Sequence, residues 1–239
     1  MRRKWLIGSA LVLVVVLALV VGGYYLMNSR TFQLAGRLVN RVDTTDKVVA
    51  LTLDDGPTEK APEVLKVLAE AGIPATFYLM GRDLAAHPEY GRAIAQAGHE
   101  IGNHTYSHRR MVFVSGDTVR DEIERTDAEI AKTGYQGPIT FRPPYGKKLL
   151  ALPKYLSDHD RTTITWDVEP DSGRQASTDA IVAETVAEVR PGSIVLLHVM
   201  GQWNESLAAI PRIVGELRSA GYQFVTVSDL LKQCGQSMP

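Results

Sequence analysis

The chain of 239 residues has a single cysteine, Cys234, so no internal disulfide can form and a small disulfide-packed domain is excluded. A basic surplus is missing too: 26 Lys and Arg stand against 27 Asp and Glu. Without a cationic patch to displace counterions from a phosphate backbone, nucleic-acid binding is not expected. Long Gly/Ser linkers and low-complexity tracts are absent, which argues against a disordered tail or a string of separate domains. No Ser or Cys nucleophile motif stands out, so a covalent intermediate is not required of any chemistry read below.

What the chain does have is charge placed unevenly. Arg2, Arg3 and Lys4 precede 23 residues, Trp5 to Met27, that carry no charge; the 212 residues after Met27 hold 23 basic and 27 acidic groups. As a helix the uncharged run spans roughly 34 Å, enough for a hydrocarbon layer of about 30 Å. Three cations before it place the N-terminus in the cytoplasm and the remainder outside. A cleaved signal peptide begins the same way, and cleavage would give a secreted protein. The run is longer than a usual signal core and ends in the interfacial pair Tyr24-Tyr25 without a clear small-x-small site, so the expectation is a retained, single-pass anchor. The chain thus divides into a basic tip (residues 1–4), an anchor or signal segment (5–27), a polar juxtamembrane connector (28–46) and one domain (47–239). Cys234 is read as structural or incidental.

Within that domain short apolar runs alternate with helical patterns. Strands are expected at Val48–Leu53, Thr76–Met80, Glu100–Asn103, Ile139–Arg142, Thr162–Val168, Ser193–Val199 and Gln223–Val227. Helices are expected at Pro62–Ala71, Leu84–Ala97, Thr118–Thr133, Thr178–Val189 and Glu205–Ala220. Such alternation predicts a parallel α/β architecture, in which chemistry gathers at the carboxyl ends of the strands. The polar residues obey that rule: Asp54-Asp55, His104, Arg142, Asp167 to Asp171 and His198 all stand at strand ends.

Asp54-Asp55-Gly56-Pro57 sets two carboxylates side by side after a strand, where adjacent side chains point to opposite sides and so meet different surroundings. The alternative is an ordinary polar turn. In His104-Thr105-Tyr106-Ser107-His108 the i, i+4 spacing puts two imidazoles on one face of a helical turn, a common zinc arrangement; Asp54 or Asp55 could add a third ligand. Phe141-Arg142-Pro143-Pro144-Tyr145-Gly146 is a stiff turn whose Arg142 can hold a carboxylate by two hydrogen bonds and whose Tyr145 N–H can face an oxyanion. His198 ends the apolar strand Ser193–His198, as a packed core histidine or a member of the same rim.

Together and in this order the four motifs resemble the polysaccharide deacetylases of carbohydrate esterase family 4, the NodB-homology domain, over Lys47 to Leu231. The resemblance implies a distorted (β/α) barrel of about seven parallel strands, here preceded by one transmembrane helix. It also implies one divalent metal, usually zinc (Zn2+), and removal of N-acetyl groups from an acetylated amino-sugar polysaccharide such as chitin or peptidoglycan. Carried over by position, Asp55, His104 and His108 are the metal ligands, Asp54 the general base and His198 the general acid. Arg142 orients Asp54, Tyr145 completes an oxyanion hole, Leu196 lines an acetyl pocket and Asp171 orients His198. The chain departs from the family at Trp166-Asp167-Val168-Glu169-Pro170-Asp171-Ser172, where Ser172 stands in place of a Trp; Trp203 or Tyr106 could supply the lost stacking surface. The same metal site could serve an O-acetyl esterase or small-amide hydrolase, and a degenerate one would leave a non-catalytic glycan-binding protein. No obligate protein partner is evident.

Overall fold

The computed structural model describes residues 2–172, 176–201 and 204–233, with side chains placed between residues 12 and 232. Cys234 and Trp203, both singled out above, lie outside the described residues. Helix α1 (Arg2–Asn28) carries the uncharged run, and its side chains from Val12 to Val21 are exposed. Among the described residues no helix is long and apolar enough to cross a membrane, so the membrane assignment of residues 5–27 rests on the sequence.

The centre of the domain is β2 (Val48–Asp54), all seven residues of which are buried, as expected of a parallel strand covered on both faces. It pairs in parallel with β3 (Thr76–Leu79) on one side and β6 (Ser193–His198) on the other, and its first residues also pair with β7 (Gln223–Val225). β4 (Glu100–Asn103) continues the sheet beyond β3. Bridges then run from Asn103 to Phe141, from Phe141 to Thr163 in β5 (Thr163–Ile164), and from Val168 back to Val195 in β6, so the parallel pairings form a closed circuit.

Strand alternation sorts side chains into two layers. Val49, Leu51, Leu53, Val195 and Leu197 point outward into the main core, which α2 (Ala61–Ala71), α7 (Thr178–Glu188) and α8 (Asn204–Ser219) cover. Ala50, Ile194 and Leu196 point inward with Trp166 and Tyr78. On that inner face the register stacks three pairs, Ala50 with Ile194, Thr52 with Leu196 and Asp54 with His198, and the last lies at the carboxyl rim.

Several elements differ from expectation. The helix expected over Leu84–Ala97 is two, α3 (Gly81–Ala86) and α4 (Pro88–Gln96); His87, at φ −134° and ψ 62°, breaks it because the residue before a proline is pushed out of the α region. The strand expected at Ile139–Arg142 shrinks to bridges at Phe141, and prolines at 138, 143 and 144 remove the donors a longer ladder needs. Thr162–Val168 holds only the two residues of β5 and the Val168 bridge. Short elements went unseen: β1 (Leu38–Val39), α6 (Ala151–Asp158) and α9 (Val227–Gln233), while α5 (Gly116–Ala131) begins two residues ahead of the helix expected from Thr118. β1 lies in the segment expected as connector, pairs with β5 and brings Val39 and Val42 into the inner cluster.

Candidate active site

The inner-face rim builds the site. Asp54, at the end of β2, is buried, and its Oδ1 accepts a 2.6 Å hydrogen bond from Arg142 Nη1. Arg142 is wholly buried; its two terminal nitrogens and its face are occupied, whereas its Nε is buried without a hydrogen-bond partner. Nη1 also donates to Thr52 Oγ1 at 2.8 Å and Nη2 to the Thr165 carbonyl at 3.2 Å. The Tyr78 ring lies 4.1 Å from the guanidinium carbon and the Trp166 ring 5.5 Å from it. Burial raises the pKa of Asp54 above the usual carboxylate range, and the nearby Arg142 charge only partly offsets it.

One residue further, Asp55 turns away at φ 76°, a left-handed conformation that costs a non-glycine residue energy. The turn directs Oδ1 to within 3.2 Å of His108 Nε2 and 3.8 Å of His104 Nε2. All three ligand atoms lie within 4.8 Å of one another, and Asp55 Oδ1 is buried without a hydrogen-bond partner, an arrangement that suits a cation. His104 Nδ1 donates to the Arg142 carbonyl at 2.8 Å, which leaves the Nε2 lone pair facing the cluster. Burial holds His104 down to about 3 even with Asp55 nearby, so the imidazole is neutral and able to ligate.

The two histidines do not share a helical turn, contrary to the spacing argument. Thr105 and His108 both have positive φ, 68° and 59°, so residues 104–108 form a looped turn. Its shape is fixed by Asn103 Oδ1 accepting from the Thr105 N–H at 2.9 Å, and by Glu122 of α5, which accepts from Ser107 N and Oγ at 2.8 and 2.6 Å. The result brings the imidazoles together all the same, with ring centres 5.0 Å apart.

His198 faces Asp54 across the β2–β6 pair. Asp171 accepts from the His198 backbone N–H at 2.7 Å and lies 3.1 Å from Nδ1, and Ser206 Oγ of α8 donates to the same carboxylate at 2.7 Å. Burial alone would lower the His198 pKa, but the Asp171 hydrogen bond and charge, with Asp54 and Asp55 behind them, raise it to about 9. An imidazolium is therefore present at neutral pH.

Tyr145, at φ 59°, turns its exposed ring to 4.8 Å from that of His108, and Arg110 lies 5.0 Å over the ring. Leu196 is buried on the inner face, one register pair below His198. The structure thus brings Asp54, Asp55, His104, His108, Arg142, Tyr145, Asp171 and His198 to one rim. Tyr106 is engaged elsewhere, with Arg125 of α5 3.6 Å over its ring. Asp167 accepts from Ile194 N and Ser193 Oγ and so braces β6. Sequence reasoning did not find Thr52, Tyr78, Thr165 and Ser206, whose contribution depends on long-range contacts that no local motif announces.

A family model described as "Polysaccharide deacetylase" matches residues 41–164. A peptidoglycan-N-acetylglucosamine deacetylase of Bacillus cereus is 33% identical over 187 residues, covering 77% of this chain and 68% of that protein. The solved Bc1960 peptidoglycan N-acetylglucosamine deacetylase superposes with a TM-score of 0.76 at 31% identity, covering 80% of this chain and 91% of its own. A pseudoenzyme of the same esterase family from Bacillus anthracis, BA3943, superposes with a TM-score of 0.75 at 27% identity over 83% of this chain and 70% of that one.

Proposed function

The chain belongs to the polysaccharide deacetylase family, and from that premise and the rim geometry we propose that it is a metal-dependent N-deacetylase acting on the N-acetylglucosamine of an envelope glycan, peptidoglycan first. One observation carries the catalytic part of this reading. A buried carboxylate of raised pKa (Asp54) faces a protonated imidazole (His198), with the Asp55, His104 and His108 cluster beside them. Asp54 can act as base only in its charged form, which the Arg142 guanidinium favours and a bound cation would favour further, while Asp171 favours the charged imidazole that can donate a proton.

Asp55, His104 and His108 would hold a divalent cation, zinc by the mixture of two imidazoles and one carboxylate. When bound, such an ion lowers the pKa of a water to about 7 and polarises a carbonyl oxygen. Asp54, kept in place by Arg142, takes the proton from the attacking water. The Tyr145 backbone N–H faces the oxygen that becomes negative, and Leu196 lines the pocket for the acetyl methyl. His198, held by Asp171, donates its proton to the nitrogen, which leaves as an amine only if protonated.

Residues 5–27 anchor the protein in a membrane, with the rim outside; the 23-residue run without charge and the cations before it support this. The similarity to a pseudoenzyme favours a second reading, a glycan binder without turnover, although both a base and an acid are in place here. Acetate release from peptidoglycan, chitin oligomers and acetylated xylan, with chelator and metal add-back, distinguishes these readings. N-deacetylation requires release from the amino-sugar substrates that stops with chelator and returns with metal. Release from xylan alone would make the protein an esterase, and none from any substrate a binder.

A further inference from the structure

Residues Met27 to Arg30 lead out of α1 and have no part in the proposed reaction, yet they are fastened to the walls of the site. The Lys148 N–H donates to the Met27 carbonyl at 3.3 Å and its Nζ to the Ser29 carbonyl at 2.5 Å; Lys147 Nζ donates to Asn28 Oδ1 at 2.6 Å. Both lysines directly follow the turn that carries Arg142 and Tyr145. Lys148 is 1% exposed, and its burial, which lowers its ammonium to about 8, is a cost that the hydrogen bond to the Ser29 carbonyl helps to offset. The Arg30 carbonyl accepts from Thr165 Oγ1 at 2.6 Å, its guanidinium lies 4.8 Å over the Trp166 ring, and it pairs with Glu169. The other partners of Thr165 and Trp166 belong to the site. The Thr165 carbonyl receives Arg142 Nη2, the Trp166 ring lies 5.5 Å from the Arg142 guanidinium carbon, and a Cβ on Gly146 would stand 3.2 Å from that ring. A continuous set of contacts therefore runs from Arg30 through Thr165 and Trp166 to Arg142, and so to Asp54.

We propose that Met27 to Arg30 form a positioning strap, with Arg30 its principal residue, that holds the Arg142–Gly146 turn and the Arg142 guanidinium in the placement Asp54 requires. The strap touches no reacting atom. Its effect on rate rests on Asp54 being the base, whereas its effect on the turn does not. It also ties the last turn of α1 to the catalytic rim.

The test uses the full-length, metal-loaded chain in detergent, comparing wild type with Arg30→Ala and Arg30→Lys for kcat, KM, Tm and amide exchange. Arg30→Ala is expected to lower kcat about tenfold or more with KM within about twofold, because a small misplacement of a positioned group is felt in the chemical step. Exchange should quicken over residues 141–148 while β2 and α8 keep their protection. Arg30→Lys should recover most of the loss, since a cation still lies over Trp166. Unchanged kcat and exchange would overturn the strap, as would a loss matched by a uniform rise in exchange and a fall in Tm. If wild type itself released no acetate, the deacetylase reading would fail, and exchange over residues 141–148 in Arg30→Ala would still decide the strap.

Discussion

At the scale of single residues, the decisive balance is at His198, where burial favours the neutral ring and Asp171 favours the charged one. The charged form is the proton donor, so it is present below about 9 and lost above it; kcat/KM should fall on the alkaline side as pH passes about 9. In Asp171→Asn the largest raising influence is gone, burial remains, and only Asp54 and Asp55 still favour the charged ring. The His198 pKa should then drop toward or below the ordinary value of about 6.5, and the alkaline limb should move down with it. A limb that stays at its wild-type position would remove Asp171 from its orienting role. Arg142→Ala strips the buried Asp54 of its counterion, which should cost about 3–5 kcal/mol in denaturant unfolding as well as activity. The residues of the Asp55, His104 and His108 cluster were legible because each stands in a short motif at a strand end. Of the two aromatic candidates, Trp203 lies outside the described residues and Tyr106 is engaged by Arg125, while the exposed ring beside His108 belongs to Tyr145. Side-chain direction in a loop with positive φ does not follow from spacing.

Among elements, β2, β3, β4 and β6 were readable as apolar runs, and their alternation decides which side chains reach the rim. Harder to see was an element shorter than one period of the pattern: β1, with two residues, carries too little sequence to register. A strand's hidden role can be tested at Gly102 of β4. A Cβ there would meet the Tyr78 ring at 2.4 Å, and that ring lies against Arg142. Gly102→Ala should therefore cost about 1–3 kcal/mol through overpacking and also reduce kcat, because the displaced ring pushes on the guanidinium that holds Asp54. Stability and activity both at wild-type levels would show that Tyr78 can yield without disturbing the site. Gly192, at φ 81°, makes a similar demand at the opposite end of β6: its added Cβ would stand 1.9 Å from the Val42 carbonyl. Gly192→Ala should loosen the 38–42 segment, seen as faster amide exchange there, with less effect on the rim.

For the whole molecule, a chain of almost balanced charge divides into a cationic, apolar N-terminal segment and an acidic domain whose working charges are a few buried carboxylates and histidines. Family membership accounts for the order of the motifs, and the closed circuit of parallel pairings accounts for their meeting, since every one lies at the carboxyl end of an inward-facing strand. If residues 5–27 anchor the chain, the full-length protein should fractionate with membranes and resist extraction by high salt; recovery in the soluble fraction as a shorter chain would indicate cleavage. The central claim is that the cation cluster and Asp54 act together to hydrolyse an N-acetyl group. It is tested most directly by measuring bound metal and acetate release from N-acetylated peptidoglycan in wild type and Asp54→Asn side by side. The account predicts about one metal per chain in both proteins, with acetate and free amine released in equal amounts by wild type alone. Undiminished release by Asp54→Asn, or none by metal-loaded wild type, would contradict it.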